Sequence, residues 1–480
     1  MGGRAARTEP VMTDALVRSP GITRVVPAAG AAASEPRSSG VARDPSVDAI
    51  RVALLVVVFA LHAMMVGVSV GADGPVLQNA IEHQAWFAPV SWVVQIMPLF
   101  FIAGGFSSFH HWRSMRSRGA SGAEYVRARL ERLVRPAIAV VAVVAVSLVW
   151  LALAGLAPEL VATAGFRIGQ PLWFLGVYLA TSALVPLMVR AHERARMLTP
   201  IVLLAAVVAV DALRFSTGIE AIGFLNLLLV WLLVQQLGFH LAGGDLDRLS
   251  PSALWGVAAA SLTLLAVLTV AGPYSGDMYV NLNPPTLCLV VLGVAQLALF
   301  QLARPRIRAW VERADASRLV SAVGERAMTI YLWHMPVLVA LAGGLLVANA
   351  GAGLALPEPL SADWWATRPV WLSVAAAAVV PVTLLFARFE RGRAHRPVPH
   401  AAPAASESRP AARSAAVDAV CGVAGIAVVL VTGFGPVQAV IALALLAVAL
   451  RGSTTVRAAA RSAVPARPTG LRRARSRAGT

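Results

Sequence analysis

The first long apolar run of the sequence carries two ionisable side chains, Arg51 at its start and His62 in its middle. Eleven helical steps separate them, which turn about 1100° and rise about 16 Å, so both lie on nearly one helix face. An ionisable group inside a membrane helix costs free energy and is therefore a candidate functional group. Imidazole can take a proton from a hydroxyl near neutral pH, which makes His62 a candidate general base. Alternatively, Arg51 anchors the membrane edge and His62 bonds a neighbouring helix.

A second basic motif precedes the third apolar run, where Arg129, Arg132 and Arg135 recur at every third position. On a helix this spacing forms a stripe. Guanidinium groups bind phosphate oxygens through paired hydrogen bonds, so the stripe is a candidate clamp for phosphates. An ordinary basic loop at the inner membrane surface would carry the same charges.

Three further side chains are candidates for contacting a substrate. Tyr331 and His334 lie three positions apart, on one face of a helix. Trp173 opens the fourth apolar run. A contact between an aromatic ring and a histidine on adjacent helices explains the first pair equally well, and a membrane-interface anchor explains Trp173.

The composition predicts that membrane helices position these residues. Of 480 residues, 58% are hydrophobic and 14% charged, with a mean hydropathy of +0.71. This is typical of a polytopic membrane protein. We expect an all-α transmembrane bundle with ten core spans, placed at about 49–70, 90–110, 135–155, 172–190, 199–213, 221–241, 253–272, 285–303, 325–349 and 370–388.

Charge alternates along the connections between these runs. The basic residues are all Arg, the net charge is +17, and most of the arginines between these runs fall in every second connection. Basic loops mark the cytoplasmic side, so both termini of the core are predicted to face the cytoplasm across the plasma membrane. Asp211 and Arg214 have the spacing of an intrahelical ion pair, and Gly104 with Gly105 permits close helix approach.

The remaining segments complete the predicted organisation. Residues 1–46 are predicted to be a disordered cytoplasmic tail, 47–390 the ten-span domain, 391–416 a linker, 417–450 a membrane hairpin and 451–480 a basic cytoplasmic tail. Cys288 and Cys421 lie in apolar runs without partners at ligand spacing, so neither a disulfide framework nor a metal site is expected.

The order and spacing of five motifs resemble those of the acyltransferase-3 family of integral membrane acyltransferases, which includes O-antigen and peptidoglycan O-acetylating proteins. The likeness covers about residues 46–390. Two positions depart from the family pattern. Gly104 stands where many members have Ser, and members of the O-antigen type carry a Glu shortly after the Trp of the fourth motif, where this chain has no acid from Leu175 to Leu179. The motifs are Asp48-x-x-Arg51 with His62, Met97-Pro-Leu-Phe-Phe-x-x-Gly-Gly-Phe106, Arg129-x-x-Arg132, Leu172-Trp-Phe-Leu175 and Tyr331-Leu-Trp-His-Met-Pro336.

The resemblance implies that acyl-CoA, with acetyl-CoA as the first candidate, is a co-substrate taken from the cytoplasm, with no bound cofactor. The implied acceptor is a hydroxyl of a carbohydrate or a lipid-linked molecule of the cell envelope. Arg51 and His62 match the family's Arg and His, and Arg129 with Arg132 match its basic pair. His62 would then be a general base or a transient acyl carrier. Membrane lipids are the other expected partners, and no nucleic acid is expected.

Two other functions are compatible with the sequence. A transporter or permease would also have ten spans with polar residues in the membrane, although no internal repeat is visible. An inactive relative could serve as an assembly or sensing component, and the two departures from the family pattern leave this alternative open.

Overall fold

A computed structural model describes residues 44–71, 74–82, 84–390 and 409–462, without the side chains of 409 and 452–462. The predicted tail over 1–43, most of the predicted linker and the last part of the basic tail lie outside the described residues. The described helices are α1 (Pro45–Met65), α2 (Phe87–Val94), α3 (Met97–Ser117), α4 (Gly122–Leu153), α5 (Pro158–Gly169), α6 (Leu172–Ala183), α7 (Val185–Arg194), α8 (Leu198–Thr217), α9 (Asn226–Ala242), α10 (Pro251–Val270), α11 (Leu287–Val311), α12 (Ala314–Gly324), α13 (Ala327–Ala352), α14 (Ala362–Glu390), α15 (Arg409–Thr432) and α16 (Pro436–Ser462).

The bundle is all-α, as predicted, apart from one small β-hairpin among the described residues. Ten of its helices are long and apolar enough to cross a membrane, and the bent unit formed by α5, α6 and α7 raises the number to eleven. The helix α15 is one of the ten, so ten of the eleven belong to the core before residue 391. A shorter apolar helix, Pro436–Arg451, follows α15. The number of core spans therefore agrees with the prediction.

The first span ends at Met65, about five residues earlier than the sequence pattern suggested. The chain then forms an antiparallel hairpin of β1 (Val66–Gly71) and β2 (Gly74–Asn79). Its first strand alternates valine with small residues, a pattern that favours extended backbone over helix. In consequence His62 lies in the last turn of α1 instead of the middle of a span.

Ion pairs join the helix ends that carry the basic connections. Arg116 at the end of α3 makes two hydrogen bonds of 2.8 and 2.7 Å to Glu193 of α7. Arg304 of α11 pairs with Asp44 before α1 and, at 3.2 Å, with Asp247 after α9. We call this end of the bundle the basic end. These contacts agree with the alternation of basic connections in the sequence. The assignment of the basic end to the cytoplasmic side stays a prediction.

Asp44 fixes the start of α1 to α11. Its carboxylate accepts hydrogen bonds from the backbone N–H of Ser46 at 3.0 Å and from Nε of Arg304 at 3.1 Å. Burial alone would raise the pKa of Asp44, but the hydrogen bonds from Ser46 and Arg304 outweigh it and lower the pKa from 3.8 to about 2. An aspartate followed by Pro45 is a recognisable helix-start signal, although the sequence interpretation ended the tail at 46.

We expect Asp44→Asn to lower the free energy of unfolding by about 2 kcal/mol at neutral pH, which corresponds to the lowered pKa. Because the folded-state pKa is depressed, this contribution is complete above about pH 4 and is lost as the pH falls through about 2. Thermal unfolding in detergent at a series of pH values measures it. Asp247→Asn is the control, since that exposed carboxylate also faces Arg304 and should cost less than about 1 kcal/mol. Equal losses in both variants would contradict the role of Asp44.

Glycines bring α3 and α9 into backbone contact, as the Gly104 and Gly105 pair suggested. A Cβ atom at Gly105 would lie 2.5 Å from the backbone oxygen of Gln235, and one at Gly104 would lie 3.2 Å from the ring of Tyr178. Each position therefore has room for glycine and little more. This close packing holds α3 against the helices of the site.

The predicted ion pair between Asp211 and Arg214 is wrong. Arg214 instead bonds Glu220, with 2.6 Å between Nη2 and Oε2. Asp211 is 1% exposed and accepts hydrogen bonds from Tyr274, Asn226 and the backbone N–H of Leu287 at the start of α11. A buried carboxylate needs several donors, and a helix N-terminus supplies one.

Candidate active site

Two histidines from distant parts of the sequence meet in the bundle. Nδ1 of His62 in α1 lies 2.8 Å from Nε2 of His334 in α13. The rings are nearly parallel, with 5.0 Å between centroids and 16° between planes. His334 is 1% exposed, whereas His62 keeps part of its surface accessible. The structure thus brings together two residues that the sequence treated as separate candidates.

The partners of the two rings determine their tautomers. Nδ1 of His334 lies 2.5 Å from the backbone carbonyl oxygen of Tyr331, so this nitrogen carries the proton and donates it. In a neutral imidazole Nε2 of His334 is then an acceptor, and Nδ1 of His62 must donate to it. The proton of His62 is therefore on Nδ1, and its Nε2 holds a lone pair.

That lone pair is the feature of the site that could accept a proton. In the residues that the structure describes, Nε2 of His62 has no hydrogen-bond partner. A base whose second nitrogen is oriented by another group is the arrangement used to activate hydroxyl nucleophiles. Here a neutral imidazole, His334, takes the orienting role that a carboxylate has in many hydrolases.

Tyr331 and Trp173 have different positions relative to the histidines. The ring of Tyr331 lies 5.8 Å from that of His334, and its hydroxyl donates to the backbone oxygen of Pro171 at the start of α6. Trp173 packs against Phe174 and Trp231, and its ring contacts include neither histidine. Tyr331 therefore joins α13 to α6 beside the site, while Trp173 belongs to the aromatic core. Substrate contact by either residue stays a prediction.

Three arginines form a second cluster, which we call the arginine cluster: Arg51, Arg129 and Arg132. The side chain of Arg132 is within electrostatic range of both other cations. Arg129 donates from Nε to the hydroxyl of Tyr125 at 3.1 Å and stacks over that ring. The three positively charged guanidinium groups repel one another, so the cluster favours an anionic occupant.

Two members of the cluster have unused donors. Nε of Arg51 is buried without a hydrogen-bond partner, and among the described residues neither Arg51 nor Arg132 forms an ion pair. Arg132 is also exposed, and four residues lie within electrostatic range of it: Arg129, Tyr178, Arg51 and Glu390. Unpaired guanidinium groups that solvent can reach are suited to binding phosphate.

Arg135 does not share these properties. Its guanidinium forms an ion pair with Glu131, one turn earlier on α4. Its predicted role in donor binding is untested, but the carboxylate already occupies part of its hydrogen-bonding capacity. The spacing of the two residues is that of a stabilising helix pair and is visible in the sequence.

A carboxylate that the sequence interpretation overlooked holds α13 in place. Glu390, at the end of α14, accepts hydrogen bonds from the backbone N–H groups of Met328 and Thr329 at 3.2 and 3.0 Å. It therefore caps the N-terminus of α13, two turns before His334. No local signal marks this contact, because the partners lie 61 and 62 positions away.

The described residues contain no group of three or more His, Cys, Asp or Glu side chains that could hold a metal ion. Cys288 is buried and Cys421 is partly buried, and both are free. The groups described above are two imidazoles, three guanidinium groups and the hydroxyls of Tyr331 and Tyr125.

Comparison with known families identifies the family of the chain. The acyltransferase-3 family model, described as an acyltransferase domain, matches residues 44–388. Searches of curated proteins and of solved structures give no match. The matched region begins at the carboxylate that caps α1 and ends within α14, so it contains both histidines and the arginine cluster. The chain therefore belongs to the acyltransferase-3 family of membrane acyltransferases.

Proposed function

We propose that the protein transfers an acyl group, with acetyl as the first candidate, from cytoplasmic acyl-CoA to a hydroxyl of a carbohydrate or lipid-linked acceptor of the cell envelope. The observation that carries this proposal is the free Nε2 lone pair of His62, fixed by the hydrogen bond to His334. A lone pair held in this way can take the proton of an attacking hydroxyl. Family membership supports the reaction class, and the donor and acceptor are our inference.

The arginine cluster is the proposed site for the phosphates of the donor. Arg51 and His62 share α1, and eleven helical steps place them about 16 Å apart along its axis. The pantetheine arm of CoA can extend over a distance of this kind. A donor with its phosphates on Arg51, Arg129 and Arg132 would then present its thioester to His62.

In the proposed reaction Nε2 of His62 accepts the proton of the acceptor hydroxyl. The oxygen of that hydroxyl attacks the thioester carbonyl carbon at the same time. The new C–O bond replaces the C–S bond, and the thiolate of CoA leaves. The thiolate then takes the proton from Nε2, which restores neutral His62 and releases CoA. The hydrogen bond from Nδ1 of His62 to His334 stabilises the imidazolium that exists between these steps.

The proposal is tested with purified protein in liposomes and acetyl-CoA labelled in the acetyl group. We expect free CoA thiol to appear together with label on an acceptor or in water. A permease would leave the thioester intact, so an unchanged thioester would contradict the proposal. Label that stays on the protein after acid quenching would assign His62 as an acyl carrier instead of a base. Mass spectrometry of envelope glycans and lipids from wild-type and deletion cells would then identify the acceptor.

His334 is expected to act through His62. We expect His334→Phe to lower kcat about 100-fold, because the nitrogen that accepts from His62 is lost. The KM for the donor should stay unchanged, because the shape of the ring is kept. His334→Gln should recover part of the loss, since its side-chain oxygen can accept from Nδ1 of His62. Steady-state kinetics on both variants measure this difference. Equal losses would show that the packing of the ring, and not its lone pair, matters.

A further inference from the structure

The C-terminal hairpin of α15 and α16 packs against the helices that carry the site. Gly422 of α15 lies where a Cβ atom would be 2.8 Å from Leu179 of α6 and 3.3 Å from Leu130 of α4. Ile426 meets Gly176 of α6 at 3.5 Å by the same measure. Leu130 directly follows Arg129, so α15 contacts the turn of α4 that carries Arg129 of the arginine cluster. The family match ends at residue 388, before this hairpin begins.

A buried ion pair joins the hairpin to α4. Nε of Arg127 lies 3.6 Å from Oδ2 of Asp418, with side chains only 14% and 8% exposed. Neither of these two atoms has a hydrogen-bond partner among the described residues. Nη2 of Arg127 reaches the backbone oxygen of Ala411 at 3.5 Å, which is also in α15. Each charge is therefore left without an opposite charge if the other is removed.

Arg127 and Arg129 lie on opposite sides of α4. Two helical steps turn about 200°. Because the side chain of Arg127 faces the hairpin, the side chain of Arg129 lies on the opposite side of α4. Arg132, three steps beyond Arg129, returns to within about 60° of it. One orientation of α4 about its own axis therefore does two things. It places Arg127 beside Asp418, and it turns Arg129 and Arg132 toward Tyr178 and Arg51.

We propose that the hairpin is a positioning element for the donor site and that Arg127 and Asp418 are its positioning residues. By fixing the rotation of α4, the ion pair directs the arginine cluster into the space that a phosphate-bearing donor would occupy. This inference rests on the proposed donor role of Arg129 and Arg132. It adds a function to a part of the chain that the family match does not include.

The test uses the full chain in detergent or liposomes with acetyl-CoA as the probe. Asp418→Asn is expected to raise the KM for acetyl-CoA at least about tenfold while kcat changes less than about twofold, because the misplaced groups bind the donor and take no part in the proton transfer. Asp418→Glu, which keeps the charge, should recover most of the affinity. Arg413→Gln is the matched control, since it removes an exposed charge from the same helix and should change neither constant.

Hydrogen exchange provides a readout that does not depend on activity. Backbone amides at 122–135 should exchange faster in Asp418→Asn than in the wild type or in Arg413→Gln. If the wild type neither binds nor consumes acetyl-CoA, the proposed function fails while the exchange result still reports on the hairpin. A double variant, Arg127→Met with Asp418→Leu, removes both charges and should fold if Asp418→Asn does not. Unchanged KM in Asp418→Asn, or unchanged exchange at 122–135 in the folded variant, would overturn the positioning role.

Discussion

Replacement of His62 by alanine is expected to lower kcat for acyl transfer about 1000-fold, which lies within the range for loss of a positioned general base. The KM for the acyl donor should stay close to the wild-type value, because Arg51 of the arginine cluster lies about 16 Å away along α1. A loss confined to kcat would show that His62 acts in the chemical step and not in donor binding. Steady-state kinetics with labelled acetyl-CoA, at matched protein concentration, measures both constants.

The control for this variant is His110→Gln. His110 lies on α3 near the basic end, where its ring contacts Phe106 at 4.7 Å, and it takes no part in the proposed reaction. Its substitution should leave kcat within about twofold of the wild type. Full activity in His62→Ala would exclude both the base and the acyl-carrier mechanisms.

Arg132→Gln is expected to raise the KM for acyl-CoA about 10- to 100-fold, since one charge-assisted hydrogen bond contributes about 1.5–3 kcal/mol. The variant kcat should change little, because the thioester still reaches His62 once the donor is bound. Arg132→Lys should recover only part of the affinity, as an ammonium group cannot make the paired contacts of a guanidinium. Titration of the donor in the kinetic assay, with binding measured separately by calorimetry, gives both effects.

Arg306→Gln serves as the matched control, because Arg306 is an exposed arginine on α11 near the basic end. A similar rise in KM for Arg306→Gln and Arg132→Gln would mean that general surface charge, and not the arginine cluster, attracts the donor. An unchanged KM in Arg132→Gln alone would remove this residue from the donor site.

Much of the fold could be predicted from the sequence because membrane helices follow from composition. Runs of about twenty apolar residues predict the ten core spans. The alternating basic connections predict which helix ends lie on the same side of the bundle. The end of α1 could not be placed in this way, since Val66 to Val70 is as apolar as a helix and only its valine and glycine pattern favours a strand. The depth of His62 in its span was therefore misplaced.

The candidate site could be predicted only in part. His62 and His334 each stand out as ionisable groups in apolar helices, but they are 272 positions apart and no local pattern shows that they meet. Their tautomers depend on the carbonyl group of Tyr331, which the bundle geometry supplies. By contrast, the pairing of Arg135 with Glu131 follows from helical spacing and was available from the sequence.

The docking of the hairpin was also beyond the sequence. Asp418 is one acid in a long apolar run, and Arg127 is one of several arginines before the third span. Their partnership depends on how α15 packs against α4, which is a tertiary contact over 284 or more positions. Long-range pairs of this kind require the structure.

The central claim is that His62 and His334 act as one unit in acyl transfer, with His334 orienting His62. A double-mutant cycle measures this most directly, with the release of CoA thiol from acetyl-CoA compared in the wild type, His62→Ala, His334→Phe and the double variant. Because His334 acts only through His62, the double variant should be no slower than His62→Ala. Independent losses that multiply in the double variant, or a wild-type rate in His62→Ala, would contradict the joint action of His62 and His334.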